Sequence, residues 1–286
     1  MRHEIRVRTR FFPPFRLSFV LLVLSIAAGD GASAQTVVHT GGGAGCIPTP
    51  GDFDGDGDWD FAQLCGGGWH FYRADGSYWK GIWTGAPETA FPVPADYTGD
   101  GRTEVALFNL GGWHFYDFET GAYRPELSRL TGVDAIPVPM DHDGDSRAEF
   151  TIYDRGAWHF FHDDGSYHKG IWIGDTPGNV PVPFDRNADA REDVVLFNGG
   201  GWHFFDFATG AYLGGIVTPR PGWGAYTDPR PTPLDFDGDG DFELGIYEVS
   251  GGLGLWHFFQ TGGTLIETID TGAANGDRPI SRRLLP

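Results

Sequence analysis

The sequence predicts an all-β fold, a β-propeller of about five four-stranded blades, and three observations carry that expectation. One unit is written five times, starting near residues 47, 91, 136, 180 and 230. Each unit holds four short apolar runs separated by turns containing Gly and Asp. No stretch of ten residues shows helical periodicity. Four strands in a repeated unit of about 44 residues is how a propeller blade is written.

The second copy, "FPVPADYTGDGRTEVALFNLGGWHFYDFETGAY" (91–123), shows the elements in order. A Pro-x-Pro lead-in at Pro92 and Pro94 forms a first short strand. An acidic loop follows, then the apolar run "EVALF" (104–108), a Gly pair, and the aromatic run "GWHFYDF" (112–118). A turn such as "TGAY" (120–123) leads to a last strand of the kind "KGIWTG" (80–85). Strands apolar on both sides, rather than alternating, suit blades that pack on a neighbour through each face.

The acidic loops start at Asp52, Asp96, Asp141, Asp185 and Asp235, at intervals of 44, 45, 44 and 50 residues. The insert "RPGWGAY" (220–226) lengthens the last interval and brings in Trp223 and Tyr226, which no other copy has. "TVVHTG" (36–41) and "IETIDTG" (266–272) both align with the last strand of a unit. Either one is able to complete a blade, and pairing of the ends would remove an exposed sheet edge. A sixth Pro lead-in begins at Pro279, but its first loop acid falls on Arg283, so five acidic loops are expected.

Residues 1–34 read as an export signal: five Arg, the apolar run "FVLLVLSIAA" (19–28), then "ASA" (32–34) as a cleavage site. The rival reading is an uncleaved N-terminal anchor. Residues 35–286 then form one five-repeat domain, secreted, periplasmic or held at the cell surface, with no membrane span after cleavage. The net charge is −19 for the whole chain and −22 without the first 34 residues. That balance argues against nucleic acid and anionic lipid as partners. Of the 37 acids after residue 34, 21 lie in the five nine-residue loops. A solubilising surface would scatter them, so the loops read as sites.

"DFDGDGDWD" (52–60) sets oxygen donors at alternate positions with Gly between them, which suits a hard cation. Calcium takes about six to eight oxygens at about 2.3–2.6 Å in flexible geometry; magnesium is stricter, and zinc and copper favour the His and Cys these loops lack, apart from His142 at a non-ligand position. With "DYTGDGRTE", "DHDGDSRAE" and "DFDGDGDFE", this loop resembles the calcium loop of FG-GAP and VCBS-type repeats, the family that includes integrin alpha-subunit propeller blades. The resemblance covers residues 47 to 270. It implies Ca2+ held by Asp52, Asp54, Asp56 and Asp60 in the first loop, and by Asp96, Thr98, Asp100 and Glu104 in the second. The third set is Asp141, Asp143, Asp145 and Glu149; the fifth is Asp235, Asp237, Asp239 and Glu243. The fourth, "DRNADARED", offers Asp185, Asn187, Asp189 and Asp193 but lacks both glycines and gains Arg186 and Arg191, so it is expected to bind weakest. The alternative for each loop is an Asx-rich turn that holds no ion.

Cys46 and Cys65 are expected to form a disulfide in an exported chain, two free thiols being the alternative. The strand "WHFY" or "WHFF" places Trp69, Trp113, Trp158, Trp202 and Trp256 beside a His in every unit. Two readings stay open: Trp stacking on a sugar with His donating to hydroxyls, or inter-blade core. No nucleophile elbow, HExxH or phosphate-cradling loop occurs, and the acidic pairs repeat with the blade, so no enzyme is expected. The resulting expectation is a calcium-binding adhesion or binding module whose partner is an extracellular protein or a glycan. The alternatives are a multivalent lectin and a polysaccharide-active enzyme.

Overall fold

The structure, a computed structural model, describes residues 21–24, 35–38, 46–57, 60–73, 77–87, 89–187, 189–222, 225–226, 229–233, 242–251 and 253–273. They form five antiparallel four-stranded sheets arranged as the blades of a propeller. The first blade consists of Ile47–Pro48, Phe61–Cys65, Gly68–Tyr72 and Tyr78–Trp83. The second is Phe91–Pro92, Val105–Asn109, Gly112–Tyr116 and Arg129–Leu130. The third is Ile136–Pro137, Thr151–Asp154, Ala157–Phe161 and Tyr167–Trp172. The fourth is Val180–Pro181, Val194–Asn198, Gly201–Phe205 and Tyr212–Val217. The fifth is Arg230–Pro231, Leu244–Ser250, Leu253–Phe259 and Leu265–Ala273. Neighbours in sequence are neighbours in every sheet, the economical arrangement for a chain of short connections. Among the described residues no helix is long and apolar enough to cross a membrane.

Of the two terminal copies of the last strand, the C-terminal one, Leu265–Ala273, completes the fifth blade. Gln35–Val38 pairs instead with Leu21–Leu24 in a separate two-stranded sheet. Most of the expected leader, and the sixth Pro lead-in, lie outside the described residues.

The core sits in the seams between blades. The second strand of a blade is buried on both sides because its alternate residues face different neighbours. Val105 and Leu107 pack with Trp69 and Phe71 of the first blade, while Ala106 and Phe108 pack with Phe150 and Ile152 of the third. The same interleaving joins the third blade to the fourth and the fourth to the fifth. The outermost strand is different: in Tyr78–Trp83 only Ile82 is buried. Cys46 and Cys65 are disulfide-bonded, closing a span of 19 residues from the first strand of blade one to the end of the second. A cross-link of that length stabilises by about 3 kcal/mol.

The outer strands of the first four blades are each covered by a turn of the next blade. Gly121 lies so close to blade one that an added Cβ would sit 3.2 Å from Ile82 Cβ. Gly165 approaches Arg129, Gly210 approaches Ile171, and Gly263 approaches Ile216 and the Val217 carbonyl in the same way. Glycine is required at Gly121 twice over, by contact and by a φ of 75°. An otherwise bare strand edge is thereby protected.

Candidate metal centres

In each described acidic loop the first acid folds the loop around itself. Asp52 accepts from the backbone N–H of Gly55 at 2.7 Å and of Gly57 at 2.9 Å. Asp96 accepts from Gly99 and Gly101 at 2.6 and 2.9 Å, and Asp141 from Gly144 and Ser146 at 2.6 and 2.8 Å. The sixth loop residue is left-handed throughout: Gly57 at φ 87°, Gly101 at 83°, Ser146 at 70° and Ala190 at 70°. The ninth residue reaches back to the second. Asp60, Glu104, Glu149 and Asp193 accept from the N–H of Phe53, Tyr97, His142 and Arg186 at 3.1, 2.7, 2.9 and 3.1 Å.

These turns bring carboxylates together. Asp141, Asp143, Asp145 and Glu149 each offer an oxygen within 4.8 Å of the others; so do Asp52, Asp54 and Asp56, and Asp96, Asp100 and Glu104. That spread is the largest that oxygens about 2.4 Å from one ion can have. Asp60 lies outside the first group, buried on the Phe53 N–H. Thr98 donates to Glu104 Oε1 at 3.0 Å and supplies a hydroxyl where the first, third and fifth loops have a carboxylate and the fourth an amide. The fourth loop forms no such group among the described residues. Asn187 Nδ2 donates to Asp189 at 3.1 Å, and Arg186 Nε stands 3.9 Å from Asp193. Asp235, Asp237 and Asp239 lie outside the described residues; Glu243 is buried.

The donor set fits a hard cation. Burial pushes the carboxyls of Asp60 and Glu104 up to about 7 and that of Glu149 to about 8, with neighbouring acids adding to the shift. Asp52 and Asp141 are raised for the same reason. Glu149 is 3% exposed, and its Oε1 is buried with no hydrogen-bond partner. A cation held by the third group would satisfy that oxygen and favour the ionised form. His142 stands against this site, held to about 4 chiefly by burial, so it is neutral and adds no positive charge.

Consecutive loops are joined. The N–H groups of Thr103, Ala148 and Glu192 donate to the carbonyls of Asp52, Asp96 and Asp141 in the preceding loop, at 2.6, 2.7 and 2.7 Å. Side chains of Arg102, Arg147 and Arg191 lie across Gly55, Gly99 and Gly144 of that same preceding loop.

The tryptophans of the aromatic strand are core. Trp69, Trp113, Trp158 and Trp202 are fully buried and Trp256 is 6% exposed. Of the two readings open for them, burial favours core: Trp69, Trp113, Trp158 and Trp202 pack in the seams and Trp256 within the fifth blade. The exposed aromatics are on the outer strands instead. Trp83 and Trp172 are 70% and 66% exposed, near Tyr78 and Tyr167, whose rings lie 6.2 and 6.1 Å from His70 and His159. Sequence reading passed over them because "YWKGIW" reads as one more apolar strand.

The fifth blade carries its own buried polar set. Glu248 accepts from Arg220 Nε at 2.6 Å and lies 3.1 Å from His257 Nε2, while His257 Nδ1 is 2.9 Å from Thr268 Oγ1. Tyr226 donates to the Thr218 carbonyl at 3.0 Å. Arg220 thus ties the insert to the last sheet, and Tyr226 ties it back to the end of the fourth. Trp223 lies outside the described residues.

Fold and loops define a class: a five-bladed β-propeller with oxygen-rich loops suited to a hard cation. No protein-family model matches the chain, and no curated protein matches it in sequence. Among solved structures it is similar to an Agrocybe aegerita lectin described for recognition of non-reducing terminal N-acetylglucosamine. That likeness has a TM-score of 0.57 at 14% identity, covering 94% of this chain and 81% of that one. A Bacteroides caccae protein of unknown function matches with a TM-score of 0.50 at 12% identity, covering 89% of this chain and 94% of that one. At these identities the likeness is one of fold.

Proposed function

We propose that the chain is an exported, calcium-stabilised binding module of the FG-GAP and VCBS type. The observation that carries this reading is Glu149, a buried carboxylate with an unpartnered oxygen in a group of four acids. Calcium in the loops would fix the blade ends, and recognition of an extracellular protein or glycan would fall to other surfaces. Calorimetric titration of chelator-stripped protein with calcium, paired with melting temperature, tests it. Binding at three or more loops near 10⁻⁴–10⁻³ M, typical of extracellular calcium modules, with a marked rise in melting temperature is expected. No heat and no shift would leave the loops as Asx turns.

A second reading, glycan binding, is favoured by the outer-strand aromatics Trp83 and Trp172 with their Tyr and His neighbours. The lectin of similar fold makes glycans the class to screen first. Catalysis is not part of either reading, since the acids repeat with the blade instead of being differentiated into acid and base. A glycan screen tests this second reading. Retention of immobilised sugars, lost on Trp172→Ala, is expected; no retention of any sugar would remove it.

A further inference from the structure

Two of the four described seams, the first and the third, carry a phenylalanine wedge from the following blade; the second and the fourth, where Asp163 and Thr261 stand at that position, do not. Between blades one and two, the phenylalanine two residues past the third strand, Phe118, is wedged 4.9 Å from Phe71 and 5.8 Å from Phe53, with Lys80 Nζ 3.7 Å over its ring. Between blades three and four, Phe207 takes the same place, 4.8 Å from Phe160 and 4.9 Å from His142, under Lys169. Between blades four and five, the guanidinium of Arg186 lies 4.6 Å over Phe204, the residue equivalent to Phe71 and Phe160. At the second seam the residue equivalent to Phe118 is Asp163.

A further exchange accompanies it. The outer-strand residue paired with the buried Trp is Ile82, Ile171, Ile216 and Ile269 in four blades, but Arg129 opposite Trp113 in the second. With the wedge absent, a cavity of about 200 Å³ opens over Tyr97, Phe115 and Phe150, and Arg129, Arg147 and Asp163 stand among its lining. Carbonyls of Asp163, Glu126 and Ser128 hold Arg129 Nε and Nη1 at 3.0, 2.8 and 3.0 Å and so fix the guanidinium plane. Arg147 approaches Asp163 at 3.6 Å and Asp145 at 3.8 Å, longer than hydrogen bonds, and its donors remain to be satisfied.

We propose that this cleft binds one pyranose ring bearing a carboxylate, a uronic acid unit of a glycan. The volume is below the roughly 300–1,000 Å³ of pockets for drug-sized ligands, which leaves room for a single ring. Tyr97, Phe115 and Phe150 give the cleft an apolar base but are themselves buried, so recognition falls to the polar groups of its wall. Arg147 presents a guanidinium fork that matches a carboxylate bidentately; Arg129, with Nε and Nη1 given to carbonyls, adds its charge and Nη2, and Asp163 is an acceptor for ring hydroxyls. The surrounding chain carries a net charge of −19, so an anion is admitted only where local cations offset that field. This cleft is separate from the outer-strand aromatics and shares with the glycan-binding reading the class of ligand; the calcium reading is independent.

The test is titration of the full chain with the methyl glycosides of glucuronic and galacturonic acid, with methyl glucoside as the neutral control. A uronide is expected to bind at least about tenfold more tightly than the glucoside, as a charge-assisted hydrogen bond implies. Asp163→Phe rebuilds the wedge of the neighbouring seams, and should abolish uronide binding with an unchanged or raised melting temperature. Should that variant fail to fold, Arg129→Gln and Arg147→Gln are each expected to weaken binding by about tenfold with melting retained. Equal affinity for glucoside and uronides, or uronide binding untouched by these variants, would overturn the cleft. Neutral-sugar retention without uronide binding would also overturn it while leaving the glycan reading in place. A chain that binds no sugar in any screen loses both.

Discussion

The backbone N–H of Thr103 donates to the carbonyl of Asp52 at 2.6 Å, so the second acidic loop is hydrogen-bonded to the first before any ion is considered. Ala148 and Glu192 continue the chain to the third and fourth loops. Ordering one loop therefore orders part of the next, and calcium binding is expected to be positively coupled. Asp52→Asn should weaken not only its own loop but also the second, by roughly fivefold, a coupling of about 1 kcal/mol. Terbium luminescence or calorimetry resolves the sites, and an unchanged second-loop affinity would show that the loops act separately.

Glu149→Gln separates the two states of the third site. Without calcium the neutral amide removes a desolvated acid, and stability should stay level or rise by about 1 kcal/mol. With calcium, the ligand is lost and the calcium-induced rise in melting temperature should shrink. A variant that melts like the parent under both conditions would exclude Glu149 as a ligand.

The raised carboxyls set the pH response. Asp60 and Glu104 are held near 7 and Glu149 near 8 chiefly by burial, so the folded chain keeps protons that the unfolded chain releases near pH 4. That contribution is fully present below about pH 4 and is lost as pH rises through 7 to 8. In chelator, the melting temperature should fall between pH 5 and pH 8. Calcium affinity should rise over the same interval, because binding requires the ionised acids. A chelated protein that grows more stable toward pH 8 would contradict the burial of these groups.

Two tryptophans of blade three distinguish core from surface. Trp158→Ala removes a fully buried indole and should destabilise by about 3–5 kcal/mol. Trp172→Ala, at 66% exposure, should alter stability by less than about 0.5 kcal/mol. Denaturant melts compare them directly, and equal losses would place Trp172 in a contact the blade does not show.

Ala190 adopts φ 70° at a position where the first two loops use glycine. Ala190→Gly should stabilise by about 1 kcal/mol, since the left-handed region is strained for any side chain. Calorimetric melting checks it; a loss of stability would mean that chain entropy outweighs the strain.

Much of this was legible because each blade spells out the same solution. The spacing from Asp52 to Asp96 to Asp141 marks the repeat, and paired apolar positions such as Leu107 and Phe108 announce a strand buried on both faces. The clamp made by Asp96 on Gly99 and Gly101 was not legible, because a ligand and a turn-former share the same residue type. Burial alone decided between core and contact for Trp113, since both roles favour an aromatic in every copy. The cleft is marked by a missing ring. Asp163 is recognised as the counterpart of Phe118 only when "HDDGSY" is set against "DFETGAY", which is one residue longer.

The glycine turns that lie on the preceding outer strand give the array a direction. Gly121 finishes blade one, Gly210 finishes blade three and Gly263 finishes blade four, always from the C-terminal side. A nascent chain emerging N-terminus first thus seals each of the first four sheets only when its successor has formed. Every partly synthesised intermediate carries a single raw edge, and that edge advances along the array one blade at a time.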